Sequence, residues 1–395
     1  MKRNFINTSE WSKNELQSIL DFASELKANR IQPLLKNKSI ALIFFNPSLR
    51  TKTSFQIGMN QLGGNAVIIS PGQDAWPIEF DVGKIMNEEA EEHIAEVAKV
   101  LSKYCDLIAV RAFPKFQNIK EDIEDKIIRG FEKFASVPII NMETITHPCQ
   151  ELAHILSLQE QLGDLKNKNY LLTWTYHPKA LNTAVANSSL IIASKFGMNV
   201  TLLCPTEDYL LHDKYIDEAK LNCQENNTNF TISHDIKKSY ANKDIVYAKS
   251  WGSIPFYGEP NKEKKIRDQY KNFIVDERKM NFTNNALFSH CLPLRRNIKA
   301  TDAVMDSDNC IAIQEAENRM HVQKSLLFNL LNYIETSLEI MADPLKRKNI
   351  SVNPEGDEIV FYGDPGLFYQ IIENLISNAQ KYAFAKPIDQ YLPYH

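Results

Sequence analysis

Short, mostly apolar runs recur along this chain, and the segments between them are long enough for a helix. The runs fall at residues 40–45, 66–70, 107–110, 137–142, 170–175, 200–204, 230–233, 245–248 and 286–289. Runs of this length and polarity are typical of strands buried in a parallel sheet. Apolar residues recur at helical spacing between several of them, and most clearly at residues 88–102, 187–196 and 315–333. The alternation predicts an α/β fold with doubly wound parallel sheets.

The alternation restarts near residue 168, which predicts two domains with a sheet each. We expect a first domain at residues 1–147, a second at residues 148–314, and a helix at residues 315–334 that returns to the first. A tail at residues 335–395 has a different composition and is treated as an appendage. With 395 residues, of which 44% are hydrophobic and 24% charged, the chain can bury two cores.

Charge and cysteine usage exclude several classes of function. The net charge is -4 and basic residues are scattered, so binding to nucleic acid or to an anionic membrane is not expected. No apolar run is long enough to span a bilayer, and the first residues lack the apolar core of a signal peptide. The six cysteines form no CxxC pair, so neither a metal site, a cofactor nor a disulfide framework is predicted. We therefore expect a cytoplasmic protein.

The segment FFNPSLRTKTSF, residues 44–55, carries the most specific local pattern. Asn46-Pro47 ends the first strand, and Ser48 is placed to cap a following helix. A strand that leads into a helix N-terminus leaves unpaired backbone N–H groups, which favour an anion such as phosphate. Arg50 adds a fork-shaped cation, and Thr51 adds a hydroxyl. The alternative is an ordinary capped helix in which Arg50 and Lys52 are solvated.

Polar residues also follow two later strands of the first half. Arg111 ends the run at residues 107–110, and His147 lies a few residues after the run at residues 137–142. Ligands of open α/β sheets bind outside the carboxyl ends of the strands, so both side chains are candidates for a binding cleft. Taken singly, Arg111 could form a surface salt bridge, and His147 could be a helix-capping residue.

Four segments together resemble one family. They are SLRTKT at residues 48–53, VRAF at 110–113, HPCQ at 147–150 and HCLPLRR at 290–296, in the order of the aspartate/ornithine carbamoyltransferase superfamily. The resemblance covers most of residues 1–335 and excludes the tail. Lys52 replaces the usual arginine of the first motif, which keeps the charge but loses the fork.

The resemblance implies carbamoyl transfer and a set of residues that bind carbamoyl phosphate. Backbone N–H groups of residues 48–51 and the Arg50 side chain would hold the phosphate, whereas Thr51, Arg111 and His147 would act on the carbonyl oxygen as the catalytic residues. Gln150 and the carbonyl groups of Cys291 and Leu292 would hold the carbamoyl NH2 group. The carbamoyl-phosphate set implied in this way is Ser48, Leu49, Arg50, Thr51, Trp76, Arg111, His147, Gln150, Cys291, Leu292 and Arg296. Trp76 would reach the site from an adjacent subunit.

Within the superfamily, DAWPIEF, METITHPCQE, TWTYHPK and YAKSWG are similar to the branch that uses N-acetylornithine in arginine biosynthesis. The residues implied for this acceptor are Glu143, Lys249, Glu91 and Leu292. Lys249 would face a carboxylate, and Glu91 would repel the extra carboxylate of a succinyl group. Lys299 matches a lysine that some members carry in carboxylated form. Succinylornithine and ornithine remain alternative acceptors.

The resemblance also implies a homotrimer with shared active sites and a knot made by the loops at residues 176–181 and 251–258. The tail contains GDPGLFYQIIENLISNAQKYAF, which resembles part of a histidine-kinase-type ATP-binding domain but lacks the other nucleotide-binding segments. A plain amphipathic helix is the alternative for this stretch. A non-catalytic chain, whose tail docks a partner, is the alternative of another functional class.

Overall fold

A computed structural model describes residues 3–332 of the chain. The tail at residues 335–395, including the predicted kinase-type fragment, lies outside the described residues.

The first half forms a parallel sheet flanked by helices, as predicted. Its strand order is β2-β1-β5-β6, and every pairing is parallel. A separate two-stranded ribbon pairs β3 with β4. The strands are β1 (Ser39–Phe44), β2 (Asn65–Ile69), β3 (Ile78–Glu79), β4 (Glu92–His93), β5 (Leu107–Arg111) and β6 (Ile139–Glu143). The helices are α1 (Lys13–Ala28), α2 (Leu49–Gln61), α3 (Ile94–Tyr104), α4 (Ile119–Glu124) and α5 (Lys126–Phe134).

The second half repeats this architecture with five parallel strands in the order β11-β10-β7-β8-β9. The strands are β7 (Asn169–Trp174), β8 (Asn199–Leu203), β9 (Phe230–Ser233), β10 (Ile245–Lys249) and β11 (Leu287–Ser289). The helices are α6 (Pro148–Leu162), α7 (Ala184–Lys195), α8 (Asp213–Asn226), α9 (Ile236–Tyr240), α10 (Pro260–Arg267), α11 (Glu277–Met280), α12 (Asp302–Met305) and α13 (Ala312–Leu331). The predicted α/β fold class is confirmed.

Strand order determines where a ligand cleft can form. In the first sheet the chain runs from β1 outward to β2 and then returns to β5 on the other side of β1. In the second sheet it runs from β7 to β8 and β9 and returns to β10. The direction of winding therefore reverses beside β1 and beside β7, and ligands bind at the carboxyl ends of strands at such points.

Helix α13 returns to the helices of the first half. Ser325 Oγ donates to the carbonyl of Ile19 on α1 at 2.7 Å, and Lys324 Nζ donates to Gln61 Oε1 on α2 at 3.1 Å. Because Lys324 is fully buried, these bonds replace the water that its ammonium would otherwise bind. The contacts fix α13 against the helix that carries the predicted anion site.

One predicted helix start was wrong. The sequence predicts a helix over residues 88–102, with Glu91 in its first turn, but α3 begins at Ile94. Glu92 and His93 instead pair with Ile78 and Glu79 as a short ribbon, and His93 Nδ1 accepts a bond from the Ala95 N–H at the start of α3. The acidic run at residues 88–92 is typical of a helix start, but the pairing of β4 with β3 holds part of it in a strand instead. Near the N-terminus, residues 8–10 form a 3₁₀ turn, and α1 begins after a capping box made by Ser12 and Glu15.

Candidate active site

The N-terminus of α2 follows β1 and carries the predicted serine cap. Ser48 is the N-cap residue, and its Oγ accepts a bond from the Thr51 N–H at 3.2 Å. Asn46 Oδ1 accepts from the Phe113 N–H at 2.7 Å, which ties the loop after β1 to the loop after β5. Lys52 Nζ lies 5.4 Å from the centre of the Phe44 ring. The cap thus confirms the predicted start of α2, and the loops after neighbouring strands β1 and β5 meet beside it.

Arg319 of α13 is a site candidate that the sequence reasoning missed. It is 3% exposed, and its Nη2 donates to Thr51 Oγ1 at 2.7 Å. Within the described residues, its Nε–H has no hydrogen-bond partner. A buried guanidinium with an unused donor beside a helix N-terminus fits a bound anion. The only sequence signal is an arginine inside an otherwise core-facing helix, which is too common a feature to select it.

Arg111, Glu143 and His147 converge at the carboxyl ends of β5 and β6. Arg111 Nη1 donates to Glu143 Oε2, and the same carboxylate oxygen lies 3.4 Å from His147 Nε2. The Arg111 guanidinium also lies 4.5 Å from the centre of the Phe113 ring. All three charged or titratable side chains are buried. Glu143 thus orients both groups that the family resemblance assigns to the carbonyl oxygen.

His147 is held in its uncharged form. Burial lowers its pKa well below 6.5, and the positive charges of Arg319, Arg111, Lys249 and Arg50 lower that pKa further. Burial also lowers the pKa of Arg50 and of Arg319. The site therefore concentrates permanent cations around a neutral imidazole. Among the described residues, the Nε–H group has no hydrogen-bond partner in any of the three arginines, Arg50, Arg111 and Arg319. Such a cluster is electrostatically suited to a dianion.

Gln150 lies in the first turn of α6, one turn after His147, which is the N-cap residue of that helix. Its Nε2 donates to Glu315 Oε1 on α13. Its Oε1 is buried and makes no hydrogen bond to any described residue. The amide of Gln150 therefore offers one unused acceptor next to the cationic cluster.

The second sheet contributes the ends of β10 and β11. Lys249, the last residue of β10, lies with its Nζ 3.5 Å from Cys291 Sγ. Leu292 has a φ of +49°, in the left-handed region, and the peptide bond to Pro293 is cis. Lys299 is 2% exposed, and its Nζ lies 3.4 Å from His290 Nε2. Burial, with a smaller effect of Lys249, lowers the pKa of Lys299 to about 7.

Four predicted site residues lie outside this cluster. Trp76 and Glu91 are exposed on the segments that flank β3 and β4, and Leu49 is 77% exposed on α2. Arg296 is half-exposed and pairs with Asp302 and Asp306. Trp76 instead lines a cavity of about 510 Å³ with apolar residues of β2 and α3. The site roles of Trp76, Glu91, Leu49 and Arg296 stay predictions.

The described part of the chain, residues 3–332, contains no group of three or more His, Cys, Asp or Glu side chains arranged to hold a metal ion. No helix within those residues is both long and apolar enough to cross a membrane.

This chain belongs to the aspartate/ornithine carbamoyltransferase family. The family's carbamoyl-phosphate-binding domain matches residues 3–160, and its aspartate/ornithine-binding domain matches residues 179–330. Neither match reaches the tail, and the resemblance of the tail to a histidine-kinase fragment is not supported.

Within the family, the chain is similar to carbamoyltransferases named for N-acetylornithine and N-succinylornithine. It is 61% identical over 331 residues to the N-acetylornithine carbamoyltransferase of Xanthomonas campestris pv. campestris, which covers 83% of this chain and 98% of that protein. It is 35% identical over 325 residues to the N-succinylornithine carbamoyltransferase of Bacteroides fragilis, covering 80% of this chain and 96% of that protein. A crystal structure of acetylornithine transcarbamylase complexed with acetylcitrulline matches with a TM-score of 0.82 and 61% identity, over 83% of this chain and 99% of that one.

Proposed function

We propose that the chain transfers the carbamoyl group of carbamoyl phosphate to the δ-amine of N-acetyl-L-ornithine, giving N-acetyl-L-citrulline and phosphate. The observation that carries the proposal is the cluster of half-buried Arg50 and buried Arg111 and Arg319 around neutral His147 at the N-terminus of α2. The similarity to N-acetylornithine carbamoyltransferase over nearly the whole length of that enzyme supports the choice of acceptor.

The phosphate of the donor would lie on the backbone N–H groups of residues 48–51. Arg50 and Arg319 hold unused donors there, and the dipole of α2 adds a favourable potential. Arg319 joins the predicted set because it bonds Thr51, whose hydroxyl faces the same end of α2.

The carbonyl oxygen of the donor becomes an oxyanion when the amine attacks. Arg111, the Thr51 hydroxyl and His147 would stabilise it, with Glu143 keeping Arg111 and His147 in place. A neutral imidazole can donate one hydrogen bond without repelling the neighbouring guanidinium groups. Gln150 and the carbonyl groups of Cys291 and Leu292 would hold the NH2 group.

The reaction proceeds by attack of the acceptor amine on the carbamoyl group, without a covalent enzyme intermediate. The neutral δ-amine nitrogen forms a bond to the carbamoyl carbon, the bond from that carbon to the phosphate oxygen breaks, and phosphate leaves with the electron pair. The departing phosphate then accepts the proton that the amine loses. Most of the acceleration would come from positioning and from electrostatic stabilisation, so no dedicated strong base is required.

The acceptor would occupy the side of the cleft formed by Glu143, Lys249 and Leu292. Lys249 supplies a cation for the α-carboxylate, and Glu91 would approach from an adjacent subunit and repel a succinyl carboxylate. We expect Glu91→Pro to raise the preference for succinylornithine over acetylornithine by about tenfold. Glu89→Pro, at a nearby exposed position, is the control. An unchanged preference in Glu91→Pro would show that Glu91 does not determine the choice of acceptor.

The proposal includes a homotrimer, which would bring Trp76 and Glu91 to a neighbouring site. It also includes a knot between the loops at residues 176–181 and 251–258. In support, the Gly252 N–H donates to the Leu181 carbonyl at 3.0 Å, and a Cβ on Gly252 would lie 3.1 Å from Ala180 Cβ.

The proposal also includes carboxylation of Lys299. It further assigns the protein to arginine biosynthesis in the cytoplasm. A pKa near 7 leaves a substantial share of the Lys299 amine uncharged, which is the form that adds to carbon dioxide. All six cysteines lie in the described residues and none is paired, as a reducing compartment requires.

The test is a carbamoylation assay with carbamoyl phosphate and three acceptors. N-acetylornithine should react with a kcat/KM well above that of N-succinylornithine or ornithine. Turnover of ornithine alone would refute the acceptor assignment, and no turnover with any of the three would refute the proposed reaction.

A further inference from the structure

Glu315 lies at the centre of a buried polar network that the proposed mechanism leaves unexplained. The residue is fully buried on α13. Its carboxylate accepts from four side chains on three other elements, namely Gln150 and His154 of α6, Tyr247 of β10 and Ser289 of β11. A buried carboxylate with this many donors is held firmly in one position.

The bond to Gln150 fixes the polarity of that amide. Glu315 Oε1 accepts the hydrogen bond, so the group of Gln150 that faces it is the NH2 group. The other three donors occupy the remaining lone pairs. His154 Nδ1 lies 2.8 Å from Oε2, and the Tyr247 hydroxyl lies 3.3 Å from Oε1. Gln150 is thereby prevented from turning its amide over.

The opposite end of the same amide is the unused acceptor. Gln150 Oε1 is buried without a hydrogen-bond partner in residues 3–332, one turn along α6 from His147. A buried acceptor without a partner destabilises the protein unless a ligand satisfies it. The donor it would take is an N–H group, and the carbamoyl group has an NH2 where an acetyl group has only a methyl.

We propose that Glu315 is a positioning residue that makes the enzyme selective for carbamoyl phosphate over acyl phosphates without an NH2 group. It acts through Gln150, by keeping Oε1 as the atom presented to the donor substrate. This inference rests on the proposed function, because it takes carbamoyl phosphate as the ligand beside Gln150. Acetyl phosphate is the matched probe, since it differs from carbamoyl phosphate by a methyl group in place of the NH2 group.

The experiment measures the ratio of the inhibition constant of acetyl phosphate to the KM of carbamoyl phosphate. In Glu315→Gln the new amide can donate to Gln150 Oε1, which lets Gln150 turn and present its own NH2 group to the substrate. Two donors then face each other, so the ratio should fall about tenfold relative to the wild-type protein. The control is Tyr247→Phe, which removes the other donor to Glu315 Oε1 and should leave the ratio unchanged.

A reversed pair provides the rescue. In the double variant Gln150→Glu with Glu315→Gln, the amide on α13 donates to one oxygen of the new carboxylate, and the other oxygen again faces the substrate as an acceptor. The ratio should return toward the wild-type value. This double variant also gives the answer if Glu315→Gln alone does not fold, because a low ratio in the reversed pair overturns the proposal.

A purely structural role would give a different result. Loss of packing or stability would weaken both phosphates equally and leave the ratio at its wild-type value in Glu315→Gln, which overturns the inference. An inactive wild-type protein would instead refute the proposed function. The two failures are therefore distinguishable in one set of measurements.

Discussion

At the scale of single residues, the site depends on side chains that are charged yet buried. Arg319 is 3% exposed, and its Nη2 bonds Thr51 at the helix N-terminus where the phosphate is proposed to lie. Burying an unpaired cation is costly, so such a residue is retained where an anion or a polar network compensates it. The bound dianion would supply that compensation.

Replacing Arg319 tests this directly. Arg319→Met keeps the length of the side chain but removes the guanidinium, so we expect kcat/KM for carbamoyl phosphate to fall about 10²-fold or more. Arg30→Met is the control, because Arg30 contacts the same helix through Glu317 at the surface. Arg296→Met should be measured in the same assay. A loss of kcat/KM equal to that of Arg319→Met would support the predicted role of Arg296 in binding carbamoyl phosphate.

A second prediction concerns Glu151, which lies next to Gln150. Burial raises its pKa well above 4.5, and the Thr8 hydroxyl donates to Oε1 at 2.7 Å. Glu151 therefore keeps its proton in the folded state at pH values above 4.5, where the unfolded state loses it. The free energy of unfolding should consequently fall with rising pH, by up to about 1.4 kcal/mol per pH unit, until the pKa of the folded state is reached.

Glu151→Gln removes this dependence. Urea unfolding at pH 5 and pH 8 should show the variant gaining stability relative to the wild-type protein as the pH increases. The exposed Glu89→Gln should give the wild-type pH dependence. An equal difference in stability at both pH values would show that Glu151 is ionised in the folded protein.

At the scale of elements, a single helix holds the loops around the proposed acceptor end of the site. On α10, Glu263 and Arg267 form a buried ion pair at 2.8 Å. Glu263 Oε1 accepts from the Ser253 N–H at 3.0 Å, and Arg267 Nη2 donates to the Pro178 carbonyl at 3.2 Å. The two ends of the pair thus each fix one of the loops that follow β7 and β10.

Glu263→Gln weakens this arrangement by leaving Arg267 without its counter-charge. We expect the KM for acetylornithine to rise about tenfold while the KM for carbamoyl phosphate stays nearly constant, because the phosphate site lies on α2. Lys264→Gln, on the exposed face of the same helix, is the control. Equal losses for both substrates would indicate general unfolding rather than displaced loops.

Sequence patterns predicted those features that depend on neighbouring residues. Ser48 follows a strand and a proline, so the start of α2 was predictable, and the strand runs gave the two parallel sheets. Features that depend on distant residues were not predictable. The start of α3 is shifted by the pairing of Glu92 with Ile78, and the approach of Arg319 to Thr51 joins residues far apart in the chain. Burial of Arg319, the signal that selects it, exists only in the folded protein.

At the scale of the whole molecule, the described residues contain both sheets and the cationic cluster, and the family matches end at residue 330. The proposed reaction therefore needs no contribution from the tail. A chain shortened to residues 1–332 should keep its kcat/KM with acetylornithine within about twofold of the full-length value in a kinetic assay. Light scattering should show the same number of subunits per oligomer for both chains. Loss of activity in a folded, shortened chain would favour a tail that takes part in assembly.

The most direct test of the central claim is a crystal structure with a bisubstrate analogue that joins a phosphonate to acetylornithine. We predict that the phosphonate binds the N–H groups at the start of α2 with Arg50 and Arg319, while the α-carboxylate lies near Lys249. A phosphonate bound away from the junction of β1 and α2 would contradict it.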